Sequence, residues 1–168
     1  MRLRFSGNDT HKVDDKGRVS IPAEFRRVLD AQDPHRDPDT QPRIHILYGD
    51  PREPWLTCHS MESIDRIGEL LDDMDEGDPR LPGFEAYYFG HVDRATLDPS
   101  GRLVLGPKLR QRAGITNQAT FMGMGKTFRI YSPEAPAEAV DPLARMISEL
   151  PEDAPIRGQL PPRRRVAE

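Results

Sequence analysis

Apolar residues in this chain recur in short, punctuated runs. Val19-Ser20-Ile21 and Leu103-Val104-Leu105 are triplets that each follow a Gly-Arg pair, and both predict brief β-strands. Behind the first, Pro22 and the spacing of Phe25, Val28 and Leu29 predict a helix of one or two turns. Behind the second, Gly106-Pro107 opens a similar stretch through Leu109 and Ala113, with Gly114 as its stop. Ile44 to Tyr48 with Trp55 to Cys58, and Ala119 to Met122 with Phe128 to Tyr131, read as closing hairpins. Ile64, Ile67, Leu70, Leu71 and Met74 fall at helical spacing behind a Ser60 cap, which predicts an amphipathic helix with an acidic outer face. Asp75 to Pro82 breaks it, and Phe84, Tyr87 and Tyr88 begin another short helix. Leu143, Met146, Ile147 and Leu150 mark a final helix, and the tail from Pro151 is rich in Pro and charge and is expected to be disordered. The class is mainly β with short helices, that is, α+β.

The pattern repeats. Val13 to Ile21 matches Leu97 to Leu105 at an offset of 84, which also pairs Phe5 with Phe89, Phe25 with Leu109 and Arg26 with Arg110. This organises the chain into a first repeat (1–60), an acidic helical connector (61–88), a second repeat (89–133), a C-terminal helix (134–150) and the tail (151–168). Copy one is longer, mostly through Asp30 to Pro42, whose composition predicts an exposed, mobile loop. Each copy carries Asp-x-x-Gly-Arg between its first two strands: Asp14, Gly17 and Arg18, then Asp98, Gly101 and Arg102. The aspartate can bond the backbone ahead of it, and glycine accepts positive φ without a Cβ clash, so the chain can reverse there. Asp14, Gly17, Asp98 and Gly101 are therefore expected to fix the two turns.

Charge changes the picture more than composition does. The 168 residues are 36% hydrophobic and 31% charged, which disfavours a large buried catalytic cavity, and the net charge of −4 taken alone argues against nucleic acid. Yet residues 1–29 and 89–118 each carry +3, whereas residues 30–88 carry −10. A polyanion responds to such local fields rather than to the total. Lys12, Lys16, Arg18, Arg94 and Arg102 are the candidate DNA-contacting residues. The lone Cys58 and the absence of a leader or long apolar run point to a reducing cytoplasm, without membrane attachment.

Other chemistry is poorly supplied. Gly123-Met124-Gly125-Lys126-Thr127 lacks the glycine that a phosphate-binding loop needs at position 120, which is Thr, and reads as a hairpin turn. Cys58, His59 and the other four histidines lack the paired spacing of a metal site, so no metal or cofactor is expected. Ser20 and Ser100 lack an evident base, so neither nucleophilic catalysis nor a small-molecule substrate is expected.

Two Asp-x-x-Gly-Arg motifs, each followed by an apolar triplet, a Pro/Gly position and a Phe/Leu-Arg pair, resemble the MraZ family over about residues 1–133. The resemblance implies a pseudo-twofold, duplicated swapped-hairpin β-barrel of AbrB type. It also implies a nucleoid-associated transcriptional regulator that binds double-stranded DNA at repeated boxes upstream of the division and cell-wall gene cluster, its own promoter included. Members assemble as rings of identical subunits, and the motif arginines, here Arg18 and Arg102, are implicated in DNA contact. Copy two departs from the pattern: Gly106 replaces proline, Pro99-Ser100 replaces Asp15-Lys16, and Phe84 to Tyr88 lacks the arginines common in relatives. The turn around Arg18 is therefore expected to dominate recognition. The alternative is an AbrB-like antitoxin or protein interaction module.

Overall fold

In the computed structural model, residues 2–166 are described, and the two copies interlock. Copy one supplies β1 (Asn8–Lys12), β2 (Arg18–Ser20), α1 (Ala23–Ala31), β3 (Arg43–Leu47) and β4 (Leu56–His59). A connector of α2 (Met61–Asp72), α3 (Leu81–Glu85) and a π-helical turn (Ala86–Gly90) leads to copy two: β5 (Val92–Thr96), β6 (Arg102–Val104), α4 (Pro107–Arg112), β7 (Gln118–Gly123) and β8 (Thr127–Tyr131). Six strands form one antiparallel sheet in the order β1-β7-β8-β4-β3-β5, and β2 pairs with β6 as a separate ribbon. The first strand of each copy thus lies on the other copy's hairpin, with Lys12 opposite Gln118 on one side and Thr96 opposite Arg43 on the other. In the ribbon Val19 faces Leu103, which are equivalent residues of the repeat, so a pseudo-twofold axis passes between them. The turns are stitched across this axis: Ile21 N–H donates to Gly101 O at 3.1 Å, and Leu105 N–H to Gly17 O at 2.8 Å.

The expected closed barrel is absent among the described residues. β1 and β5 are open edges of the large sheet, because the chain leaves it at Val13, where one isolated bridge to Val19 replaces a continuing ladder. β1 is polar along its length, as an edge strand must be to avoid pairing with other chains.

The core sits between the sheet, the ribbon and the two short helices. Phe5 and Phe25 of copy one pack on Phe121 and Phe128 of copy two, with Phe5–Phe128 and Phe25–Phe128 ring centroids both 4.9 Å apart. All four rings are fully buried, and each contributes about 1.5–3 kcal/mol. The repeat breaks here. Phe89, the counterpart of Phe5, is 47% exposed, because the residues around it coil into the π-helical turn instead of entering the sheet.

Three other expectations are corrected. α1 runs for nine residues, beyond two turns. The Asp30 to Pro42 segment is mostly exposed as expected, but it is anchored at Asp33, which is buried and whose carboxylate accepts from Arg43 N–H at 3.0 Å, Nε at 3.1 Å and Nη2 at 2.8 Å. The final helix is two helices, α5 (Ala137–Val140) and α6 (Pro142–Glu149). They divide at Asp141, which is extended and whose side chain accepts from Leu143 N–H at 2.9 Å. The described residues from Pro136 onward form a unit of their own, and within the tail Ile156–Gln159 makes a 3-10 turn. In the acidic connector Ser60 caps α2 as expected, its Oγ accepting from Ser63 N–H at 3.1 Å. Only Ile64 on that helix is fully buried, whereas Leu70 is 60% exposed. Gly123 to Thr127 closes a β-hairpin, with Gly125 at φ +82°. No helix among the described residues is long and apolar enough to cross a membrane.

Burial holds the His59 imidazole, with help from neighbouring His45, at a pKa of about 4, and its Nδ1 lies 2.9 Å from Ser63 Oγ. An unfolded histidine titrates near 6.5, so acidification protonates the unfolded chain first. Stability should therefore be full above pH 6.5 and fall between pH 6.5 and 4 by up to about 3 kcal/mol from this residue. Denaturant midpoints across that range should show the loss, and His59→Gln should flatten it.

Candidate nucleic-acid interface

Both motif turns fold through the same bonds. In the first, Asp14 O accepts from Gly17 N–H at 2.9 Å, and Asp14 Oδ1 accepts from the backbone N–H groups of Lys16 at 3.0 Å and Arg18 at 2.9 Å. Asp14 Oδ2 then takes Arg18 Nε at 2.6 Å. In the second, Gly101 N–H donates to Asp98 O at 2.9 Å, Ser100 and Arg102 N–H donate to Asp98 Oδ1 at 2.9 and 2.8 Å, and Arg102 Nε reaches Asp98 Oδ2 at 2.8 Å. The backbone N–H of Arg18 chiefly, with its guanidinium, holds Asp14 below the ordinary carboxylate range, and Arg102 does the same for Asp98. Each arginine spends Nε on its aspartate, which fixes the plane of the guanidinium. The two terminal nitrogens of each have no partner among the described residues, and the side chains remain 37% exposed.

Gly17 and Gly101 take φ +80° and +76°. Both also admit an arginine from the opposite copy. A Cβ on Gly17 would run into Leu105 O and meet Arg110 Nε at 3.2 Å, whereas the nearest atoms to a Cβ on Gly101 all belong to the Arg26 side chain. Arg110 Nε donates to Leu105 O at 3.0 Å, but its counterpart Arg26 Nε is buried without a partner among the described residues. The Arg26 and Arg110 pairing is visible in the repeat; their place against the opposite copy's turn is not.

Strand alternation turns Val19 and Leu103 into the core and leaves Arg18, Ser20, Arg102 and Val104 on the outer face of the ribbon. Beside it lies an open groove of about 490 Å³, lined by Lys12, Asp14, Arg18, Ser20, Arg102, Asn117 and Gln118 among others. The structure thus brings Lys12, Arg18 and Arg102 together, with exposed Lys16 at the tip of the adjacent turn. Arg94 is not with them. It lies on β5, at the opposite edge of the large sheet from Lys12, paired with His45, whose imidazole it helps hold neutral after burial. Two cations of the second basic segment serve the fold instead. Arg112 Nη1 donates to Glu53 O at 2.7 Å and Nε to Tyr48 O at 3.1 Å, and Lys108 Nζ reaches Tyr48 Oη at 2.8 Å. Asn117 and Gln118 carry no motif signal, and only the pairing of β7 with β1 places them in the groove.

Residues 88–152 match a family profile described as "MraZ protein, putative antitoxin-like". The chain is 41% identical over 91% of its length to the transcriptional regulator MraZ of Ruegeria sp. (strain TM1040), covering 92% of that protein. It is 32% identical over 78% of its length to the one from Rhodospirillum rubrum, covering 81% of it. The chain belongs to the MraZ family of transcriptional regulators. The MraZ of Ruegeria pomeroyi is similarly 40% identical over 91% of the chain, covering 92% of that protein.

The two glycines should differ in tolerance. A Cβ at either position incurs about 1–2 kcal/mol for the left-handed backbone. Gly17→Ala also drives a methyl into the Leu105 carbonyl, which is backbone, whereas Gly101→Ala displaces the flexible end of Arg26. Thermal denaturation should show the larger loss for Gly17→Ala; equal losses would mean that the Leu105 backbone gives way as readily as a side chain.

Proposed function

We propose that the β2–β6 ribbon is the DNA-docking element of this regulator, and that its outer face enters the major groove. A major groove about 12 Å wide accepts a two-stranded β-ribbon, which supports the fit. Arg18 and Arg102 supply the base-reading donors: with Nε fixed by aspartate, each presents its terminal nitrogens in the paired geometry that suits guanine O6 and N7. Val104, 52% exposed on the same face, suits a thymine methyl group. Lys12 and Lys16 neutralise phosphate, while Asp14, Gly17, Asp98 and Gly101 hold the turns. The observation that carries this reading is the pair of aspartate-aimed, outwardly unpartnered guanidinium groups on one two-stranded ribbon.

The wider reading follows the family resemblance. The duplicated unit is a swapped-hairpin fold of AbrB type, supported by the exchange of β1 and β5 between copies. The targets are repeated boxes upstream of the division and cell-wall gene cluster, including the gene's own promoter, bound by a ring of identical subunits in the cytoplasm on the nucleoid. Few free cations per chain mean weak single contacts, and linked subunits on adjacent boxes raise avidity by about 10²–10⁴.

Fluorescence anisotropy with a duplex from the gene's own upstream region tests this assignment. Arg18→Ala and Arg102→Ala should each weaken specific binding by about 1–3 kcal/mol, roughly 5- to 150-fold. The Arg18 loss should be the larger, because Lys12 and Lys16 flank that turn whereas Thr96 and Ser100 stand at the equivalent positions. A larger loss from Arg102→Ala would reverse the assignment, and unchanged binding in both variants would end it. A duplex trimmed to one box should bind 10²- to 10⁴-fold more weakly than the multi-box fragment.

A further inference from the structure

At the far end of β1 from the ribbon groove, a second basic cavity of about 220 Å³ opens, lined by Arg2, Arg4, Arg66, Lys126, Gln32 and Glu62 among others. Four separate segments build it. Phe5 pins the N-terminal residues to the β7–β8 hairpin, its N–H donating to Gly125 O at 2.8 Å and its O accepting from Gly125 N–H at 3.0 Å, which brings Arg4 beside Lys126. Gln32, just past α1, ties the remaining walls together: its side chain donates to Leu3 O at 3.4 Å and accepts from Ser60 Oγ at 2.5 Å, and its carbonyl accepts Glu62 N–H at 3.0 Å. The cavity is therefore framed by hydrogen bonds between elements.

Its charge is unbalanced. Glu62 is the one carboxylate in the lining, and it is engaged by Arg66 at 2.9 Å. Arg2, Arg4 and Lys126 have no carboxylate within ion-pair distance among the described residues. Gathering like charges around a concavity is unfavourable unless an anion shares the space, and guanidinium forks beside an ammonium match a tetrahedral oxyanion better than a single carboxylate. At about 30 Å³ per water, the cavity holds several waters, room for one or two phosphate groups. The first-turn N–H groups of Glu62 and Ser63 in α2 are already bonded to Gln32 O and Ser60 Oγ, so side chains must do the holding.

We infer that this cavity is a phosphate-binding site, distinct from the ribbon groove and separated from it by the length of β1, five residues or about 17 Å at 3.4 Å per residue. Its ligand is either a free phosphorylated small molecule or the backbone phosphate of a nucleic acid running past the ribbon, and the recognising chemistry is the same. The inference stands apart from the assignment of Arg18 and Arg102 to DNA.

The full-length protein is titrated with pyrophosphate by calorimetry at fixed ionic strength, beside Arg4→Gln/Lys126→Gln and Arg18→Ala. Arg4 and Lys126 are exposed, and circular dichroism verifies that the double variant is folded. Saturable binding that weakens at least tenfold in the double variant, and is retained in Arg18→Ala, supports a free phosphorylated ligand. If pyrophosphate does not bind, a random-sequence duplex is used. A plot of log K against log salt whose slope is shallower by about 0.9 per lost contact in the double variant supports backbone phosphate at the same residues. Pyrophosphate binding that persists undiminished in the double variant, or no binding together with an unchanged salt slope, overturns the site.

Discussion

Everything in the main unit depends on β1 and β5 satisfying their backbones on the other copy. β1 bonds to β7 and β5 to β3, so neither copy contains a complete sheet. An unpaired, buried strand edge is costly, and exchange removes that cost on one side of each strand. The aromatic packing has the same logic, since Phe5 and Phe25 both find their closest ring in Phe128, on β8 of the other copy. The ribbon is a consequence: once the first strands are exchanged, the second strands emerge side by side, and Val19 must meet Leu103. The two guanidinium groups share one face because the fold has a pseudo-twofold axis, not because the sequence places them close together.

The axis is imperfect where function and packing pull the copies apart. Lys12 becomes Thr96 and Lys16 becomes Ser100, so the second turn loses its cationic flank. Lys108 and Arg112 of copy two reach the loop between β3 and β4, locking copy one's hairpin. Phe5 is buried and Phe89 is not, since the connector has to rejoin the sheet through the π-helical turn. The duplication therefore keeps the turn geometry almost unchanged, while the charge that made both basic segments look alike is spent differently in each.

Local features were legible in the sequence, and non-local ones largely were not. Asp-x-x-Gly-Arg contains its own turn: the aspartate, the left-handed glycine and the arginine that returns to the aspartate lie within five residues. Ser60 as a cap and the 84-residue offset were readable for the same reason. The partner of each strand was not, because alternation names the buried face and not the neighbour. Asn117 and Gln118 were invisible for that reason, and Arg94 was credited to the site because nearness in sequence to Asp98 stood in for nearness in space. The loop from Asp30 is mostly exposed, as its composition implies, but composition did not show that one buried carboxylate in it takes three donors from Arg43. The break at Asp141-Pro142 was legible in hindsight, since the residue before proline avoids the helical region.

An acidic chain that recognises DNA must separate affinity from specificity. Turn one holds two acids, Asp14 and Asp15, against Lys16 and Arg18, so its formal charge is zero. On the proposed assignment its attraction for DNA comes from direction: the carboxylate of Asp14 sits behind Nε, and the terminal nitrogens point away from it. Such a dipole gives little at a distance, where salt screens it within about 10 Å, and much at contact, where water is displaced. Long-range attraction must then come from flanking cations such as Lys12, with no carboxylate in ion-pair contact among the described residues. A site with strong contact geometry and a weak far field discriminates well but binds weakly alone, and repetition of the site along the DNA, rather than more charge within each chain, is the economical way to restore affinity.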